Sequence, residues 1–253
     1  MGIKGLNQFL RKRCPMVFHK ETPLSTFAFK KVAVDISTYI YKYKSIFGDK
    51  WFRSFFHFIC TLRKHKLHPV IIFDGPPLKE KKDEQKKRTK KREDLKNKIK
   101  TIRRDLDLFY RTGDITELLK TCTNNRKTPD KLKRFLGVNT FDPKPIEEYL
   151  ESISKQIIYI RKDEIDICQA ILKLVKIPYI KAKDDAERLC VQLYRQKKVE
   201  AILSDDSDVI AYGVDCILSH LNIKNGTVTF VNSSEIIYHL ELKNKAELLD
   251  FCI

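Results

Sequence analysis

Residues 32–41, VAVDISTYIY, decide how this chain is read: a short, wholly apolar run ends on a carboxylate, Asp35, and a helix-compatible stretch follows. An apolar run without alternation predicts a strand buried on both faces. The same device recurs along the chain. In PVIIFDGPP (69–77) Asp74 closes an apolar run, and Gly75, Pro76 and Pro77 supply turn chemistry. In EAILSDDSD (200–208) Asp206 and Asp208 follow a run ending at Leu203. In AKDDAERLC (182–190) Asp185 and Glu187 stand at the start of a helix predicted over 185–197. Apolar strands alternating with helical stretches predict an α/β fold with a central, mainly parallel sheet flanked by helices.

The bulk properties fit a folded domain: 253 residues, 42% hydrophobic and 33% charged. No apolar run approaches the roughly 18 residues of a membrane span, and the N-terminus lacks a secretory h-region. Gly2 is not followed by the Ser or Thr of a myristoylation signal, because position 6 is Leu6. Seven cysteines, at 14, 60, 122, 168, 190, 216 and 252, are scattered and never spaced as Cys-x-x-Cys. They read as reduced thiols of an intracellular protein, neither a disulfide frame nor a zinc site.

The formal charge is +17, unevenly spread. From Lys79 to Arg104 fourteen Lys or Arg stand against five Asp or Glu, a local charge of +9. Such a concentration is an electrostatic footprint for a polyanion. A solvated basic helix or a localisation signal at Lys86-Lys87-Arg88-Thr89-Lys90-Lys91-Arg92 is the alternative.

Elsewhere a helix is predicted from Trp51 to Lys64 with Phe52, Phe55, Phe56 and Ile59 on its core face. Gly113, Pro129, Gly137, Pro143 and Pro145 interrupt 112–150, leaving amphipathic pieces at 114–120 and 130–136. A strand is predicted at 156–160, a helix at 163–175, a strand at 178–180, and a hairpin of 216–218 with 227–231 about Asn225-Gly226.

In open α/β sheets function collects beyond the carboxyl ends of the strands. Oxygen ligands without His or Cys suit magnesium or manganese. Two such ions about 4 Å apart activate a water and stabilise a leaving oxygen in phosphodiester hydrolysis. Each acid also has a plainer role open to it. Asp184 with Glu187 has capping-box spacing, Ser204 or Asp205 could cap the next helix, and Asp74 could be a turn residue. Asp185 and Glu187 are two apart and do not share a helix face. They converge only if Asp185 lies at or before the first helical turn.

The N-terminal MGIKGL, VAVDISTYIY, VIIFDGPPLK, and the series IPY…DAE…SDDSD resemble, in this order, the flap endonuclease (XPG-type) family of structure-specific 5′ nucleases. The likeness spans nearly the whole chain apart from 105–155, and the Lys/Ile-rich composition suggests a large DNA virus version. It implies one domain: an N-terminal nuclease region (1–104) with the start of a basic helical arch, a helical and loop insertion (105–155), and an internal nuclease region (156–253). It implies that Asp35, Asp74, Asp185, Glu187, Asp206 and Asp208 hold two Mg2+ ions, with Mn2+ able to substitute. Asp185 replaces the first Glu of the family's Glu-x-Glu pair. Lys79 and Arg88 match cations that hold the scissile phosphate, Tyr41 an aromatic that stacks a base, and Gly2 a small residue close to the DNA backbone. Lys86, Lys87, Arg88, Lys90, Lys91 and Arg92 fall in the arch. The chain stops before the family's Gly-Ser-Asp-Tyr motif, so a last metal-side acid and a duplex-gripping element are expected to be absent.

The resulting expectation is a two-metal-ion phosphodiester hydrolase acting on DNA with a 5′ flap or single-stranded 5′ end, in replication or repair. It is expected to be a monomer and to work in a nucleus or a cytoplasmic viral replication compartment; a sliding clamp stays open as a partner, although these residues show no motif for one. Two alternatives stay open: a nucleic-acid-binding protein with impaired catalysis on the same fold, and a 5′–3′ RNA exonuclease.

Overall fold

A computed structural model describes all residues except 1, 2, 4, 19–20, 77–81, 125–140, 155–156 and 253; the side chains of 82, 84, 85 and 122–124 are likewise not described. The chain divides into two compact units, Met1–Lys79 with Ile160–Ile253, and Glu80–Tyr159. No helix among the described residues is long and apolar enough to cross a membrane.

The first unit is built on a seven-stranded sheet. Its strands are β1 (Glu21–Pro23), β2 (Lys31–Asp35), β3 (His68–Phe73), β4 (Tyr179–Lys181), β5 (Ala201–Leu203), β6 (Ile217–Asn222) and β7 (Thr227–Val231). The spatial order is β1-β7-β6-β5-β2-β3-β4. From β6 to β4 all neighbours run parallel, and β7 and β1 close one side antiparallel. The expected mainly parallel sheet is therefore present, with β2 near its centre. The helices in chain order are α1 (Leu6–Arg13), α2 (Pro15–Phe18), α3 (Ile36–Phe47), α4 (Trp51–Lys64), α5 (Lys82–Thr112), α6 (Glu117–Asn124), α7 (Lys144–Ser154), α8 (Lys162–Leu174), α9 (Ala186–Arg195), α10 (Asp208–Ala211), α11 (Ser233–His239) and α12 (Lys245–Cys252).

Successive strand side chains point to opposite faces, and here both faces are covered. Val32, Val34, Ile71, Phe73, Ala201 and Leu203 enter one apolar layer with α3, α4 and α8. Ala33, Ile72, Ile202 and Ile217 enter the other with α1, α2, α9, α10, α11 and α12. This double burial is why the strands read as unbroken apolar runs.

Helix α4 turns inward most of the face its aromatics predict: Phe55 and Ile59 are buried and Phe52 packs against the same core. Trp51, Phe55, Phe58, Ile59 and Leu62 are buried, whereas Phe56 is exposed. The series 51, 55, 58, 62 follows the 3.6-residue period, which excludes Phe56 and admits Phe58. Removing one of these buried aromatic rings costs about 3–5 kcal/mol. Between α3 and α8, the Lys44 ammonium lies 2.5 and 2.6 Å from the two Glu164 oxygens. One of those oxygens also accepts the Arg161 N–H, at 2.7 Å.

Residues 157–160, expected as a strand, carry no ladder pairing. Their apolar side chains are used differently: Ile157 packs in the core of the second unit and Ile160 in that of the first. This stretch is the chain's crossing between units.

The second unit is helical. Helix α5 is 31 residues long, about 46 Å at 1.5 Å per residue. Its buried residues Ile99, Ile102 and Leu106 recur at helical spacing and pack with Leu119 of α6 and Ile146, Leu150 and Ile153 of α7. The half before Ile99 has no buried position among its described side chains. It is the basic, solvated half of the helix. The expected boundary at 104/105 falls inside α5, so the basic segment and the start of the 105–155 segment share one element. The amphipathic piece expected at 130–136 lies outside the described residues, and the one at 114–120 overlaps α6.

Candidate active site

Strands β5, β2 and β3 are adjacent and parallel, so their carboxyl ends open onto one edge. The register pairs Asp35 with Ile72 and Val34 with Leu203. Asp74 and Asp206 therefore lie just past the ends of the two strands that flank Asp35. Asp35 caps α3, accepting the Ser37 N–H at 3.3 Å and the Thr38 hydroxyl at 3.3 Å. Its Oδ2 also accepts the Ser204 hydroxyl at 2.9 Å. Asp35 is 3% exposed. Burial first, then repulsion from Asp74, lifts its carboxyl to about 7; the Ser204 hydroxyl opposes this, and Glu187 and Asp206 add to it.

Asp74 has a structural role as well. Its Oδ1 accepts the Ala186 N–H at 2.9 Å, capping α9 from another strand. Asp185 is the N-cap residue of α9 in an extended conformation (φ −80°, ψ 138°) and makes no side-chain cap hydrogen bond. The capping box open to Asp184 and Glu187 is thus not formed. Asp185 also satisfies the condition for convergence, since it precedes the first helical turn that carries Glu187.

The close approach of the β3 end to α9 depends on Gly75. Its N–H donates to the Asp184 carbonyl at 2.6 Å. A Cβ there would stand 2.7 Å from the Lys183 carbonyl carbon and nearer still to the Ala182 carbonyl oxygen. Those are backbone atoms that cannot rotate away, so only glycine fits. Gly75→Ala is expected to cost about 2–3 kcal/mol, read as a lowered urea midpoint at unchanged m-value. An unaltered midpoint would mean that this approach is loose.

After β5 the chain folds back on itself. The Ser204 hydroxyl, besides bonding Asp35, accepts the Asp206 N–H at 3.1 Å, and Asp206 Oδ1 accepts the Asp208 N–H at 3.1 Å. Neither Ser204 nor Asp205 caps α10, whose N-cap is Ser207 without a side-chain bond. Ser204 instead links the frames of Asp35 and Asp206, a role its sequence position does not announce. Asp208 sits in the first turn of α10 and, after burial, helps push up the Cys252 thiol.

The carboxylates of Asp74, Glu187 and Asp206 act on Asp35. Among the described residues no three His, Cys, Asp or Glu side chains are close enough to hold one ion. The geometry is a field of facing acids, not a closed cage. Its donor set is nonetheless all oxygen, and the repulsion that lifts Asp35 is what a hard divalent cation relieves. The residues present therefore fit Mg2+ or Mn2+.

The basic candidates are placed less fully. Gly2 and Lys79 lie outside the described residues. Tyr41 is half-buried on α3. Lys86, Lys87, Arg88, Lys90 and Lys91 are exposed and Arg92 is half-buried on α5, in the second unit. Lys86 pairs with Asp83 at 3.5 Å.

The XPG N-terminal domain model matches residues 1–95, and the XPG I-region model matches 176–253. The chain belongs to the XPG family. The N-terminal match contains Asp35 and Asp74, and the I-region match contains Asp185, Glu187, Asp206 and Asp208. Residues 96–175 between them fall outside both. The probable RAD2-like endonuclease 369L of Invertebrate iridescent virus 6 is 31% identical over 278 residues, covering all of this chain and 66% of that protein. Flap endonuclease 1 of Scheffersomyces stipitis is 27% identical, covering all of this chain and 60% of that protein. This XPG-family chain thus spans about two thirds of such relatives. The catalytic core of Rad2 in complex with DNA substrate aligns with TM-score 0.58 at 20% identity, over 97% of this chain and 60% of that one. Flap endonuclease-1 from Methanococcus jannaschii aligns at 0.54 and 16%, over 100% and 69%. At these identities the two structures establish the shared fold.

Proposed function

We propose that this chain is the nuclease portion of a metal-dependent, structure-specific 5′ nuclease that hydrolyses phosphodiester bonds of DNA at a 5′ flap or 5′ end during replication or repair. One observation carries the reading: at the carboxyl edge of a parallel sheet Asp35 is buried, Asp74 and Asp206 lie just past the ends of the two strands beside it, and the charges of Asp74, Glu187 and Asp206 bear on it. Acids so placed bind cations. Asp35, Asp74, Asp185, Glu187, Asp206 and Asp208 would hold two Mg2+ ions, or Mn2+ in their place. Bound there, the ions would supply an activated water and a Lewis acid for the leaving oxygen.

The chain's own residues do the positioning. Asp35, Ser204 and Asp206 form one hydrogen-bonded frame, and Asp74 ties β3 to the start of α9. Lys79 and Arg88 would grip the scissile phosphate, Tyr41 would stack a base, and Gly2 would let the DNA backbone approach. Lys86, Lys87, Arg88, Lys90, Lys91 and Arg92 would draw a single-stranded 5′ end along the basic half of α5. The family relationship to viral and eukaryotic endonucleases supports action in a nucleus or a viral replication compartment, and the chain would act as a monomer.

The test is release of a 5′-labelled flap in Mg2+ and in EDTA, with DNA and RNA flaps side by side. Cleavage of the DNA flap that EDTA abolishes is the expected result. Binding without cleavage would favour a DNA-binding protein on the same fold. Preferential RNA cleavage would mark an RNA exonuclease. A second test addresses α5. Replacing Lys86, Lys87, Arg88, Lys90 and Lys91 with Ala is expected to flatten the log–log salt dependence of single-strand binding by about 3 units, near 0.7 for each phosphate no longer neutralised. An unchanged slope would make this stretch a solvated face.

A further inference from the structure

Asp205, in the Ser204–Asp208 loop, is almost enclosed, with 10% of its side chain exposed. Two elements meet on it, α3 and β6. The Tyr39 hydroxyl donates to its Oδ1 at 3.1 Å, and the Lys42 ammonium to its Oδ2 at 3.3 Å, both from α3. The His220 backbone N–H donates to Oδ1 at 2.6 Å. The His220 imidazole places Nδ1 3.9 Å from Asp205 Oδ1, and the Arg11 guanidinium from α1 lies 2.6 Å from its Nε2.

The His220 contact comes at a conformational cost. His220 has φ of 51°, in the left-handed region that side chains other than glycine rarely adopt. It falls where the β6–β7 register shifts, between Ser219 and Asn222. A shift of this kind takes a backbone N–H out of the ladder and re-aims it, and here it points at Asp205. Tyr39 is wholly buried, and burial followed by Asp205's charge pushes its hydroxyl well up, so it remains a donor. A strained residue and a buried phenol thus both serve one carboxylate. Local strain of about 1–3 kcal/mol persists only where surrounding contacts over-determine it.

The consequence lies one residue away. Ser204 ties the loop inward to Asp35, and Asp205 ties it outward to α3 and β6. Between these two anchors the chain has little freedom, and the next residue is Asp206. We infer that Asp205 is a positioning residue, which by holding Tyr39, Lys42 and the His220 amide together fixes the loop that presents Asp206 and Asp208 to a divalent cation. The inference rests on the metal-dependent reading of the acid edge.

The test compares Asp205→Ala with Asp205→Asn, since the amide keeps the Oδ1 acceptor for Tyr39 and His220. Removing a group that orients a ligand typically costs about 10–100-fold in affinity or rate. For Asp205→Ala we expect kcat on a DNA flap to fall about 30-fold, KM for DNA to stay within about twofold, and calorimetric Mg2+ affinity to fall about 10-fold. Asp205→Asn should recover to within about threefold of the parent in both. Equal losses in Asn and Ala would overturn the inference, because the carboxylate charge itself would then be used. Lowered thermal stability with unchanged kcat and Mg2+ affinity would also overturn it. If Asp205→Ala does not fold, Tyr39→Phe removes one donor and should lower Mg2+ affinity about threefold; no change would count against the inference. Should the parent cleave no DNA, the functional reading falls, while Mg2+ calorimetry on the same variants still decides the role of Asp205.

Discussion

Asp74→Asn is expected to lower Mg2+-dependent flap cleavage by roughly 10³-fold, near 4 kcal/mol of transition-state stabilisation, while DNA binding stays within a few-fold. Asparagine is the informative replacement because Asp74 does two things. Its Oδ1 accepts the Ala186 N–H that opens α9, and its charge is the first-ranked neighbour lifting Asp35. Asparagine keeps an acceptor oxygen for the helix and removes only the charge. Alanine would remove both and confound a lost cap, worth about 1 kcal/mol, with a lost ligand. Removing the Asp74 charge should also let the Asp35 carboxyl ionise at lower pH. Without divalent ions, then, the variant should be no less stable than the parent at pH 8, and the stabilisation added by Mg2+ should shrink. Cleavage within tenfold of the parent would remove Asp74 from the metal-holding set. Full loss of cleavage with unchanged Mg2+ stabilisation would move its role from the metal to the substrate.

The sheet and its acids were legible because burial writes itself into short runs. Val32–Val34, Val70–Phe73 and Ile202–Leu203 are covered on both faces, so each run is apolar without alternation, and the first polar residue after it marks the edge. Other features depend on contacts distant in sequence. Asp205 reads as a helix cap until β6 brings the His220 N–H beside it, 15 residues on. Ser204 too reads as a helix cap until β2 and β5 pair and place its hydroxyl on Asp35, 169 residues away. Residues 157–160 have strand composition but no neighbour to pair with, and their apolar side chains are divided between two cores. In α4 the difference is one residue: five closely spaced aromatics fit more than one helical face, and the core admits Phe58 in place of Phe56 while Phe55 and Ile59 are buried as expected.

Asp35 should make the stability of this protein depend on pH in a direction opposite to that of most carboxylates. Its ordinary value is 3.8, and in the fold it stands at about 7, chiefly through burial and then through Asp74. Between those values the native state binds a proton that the unfolded state has released. The stability due to this group is therefore fully present below about pH 4 and is lost as pH rises through about 7. Three units correspond to about 4 kcal/mol at most, and relaxation around the charged group should leave about 2 kcal/mol in practice. Asp35→Asn carries no titration. In EDTA it should match the parent near pH 4 and exceed it at pH 8 by about 2 kcal/mol, or some 4–8 °C for a chain of this size. The Thr38 and Ser204 hydroxyls that now donate to Oδ2 can rotate to accept from the new amide, at the cost of the bonds their own O–H groups make to Asp35. Saturating Mg2+ should reverse the order at pH 8, because only the parent can place a buried anion against the cation. Urea midpoints from pH 4.5 to 8.5, with EDTA and with Mg2+, decide the matter. Parallel curves for the two proteins in EDTA would show that Asp35 is already ionised in the fold, and the acid edge would then lack the mutual repulsion on which the metal reading is built.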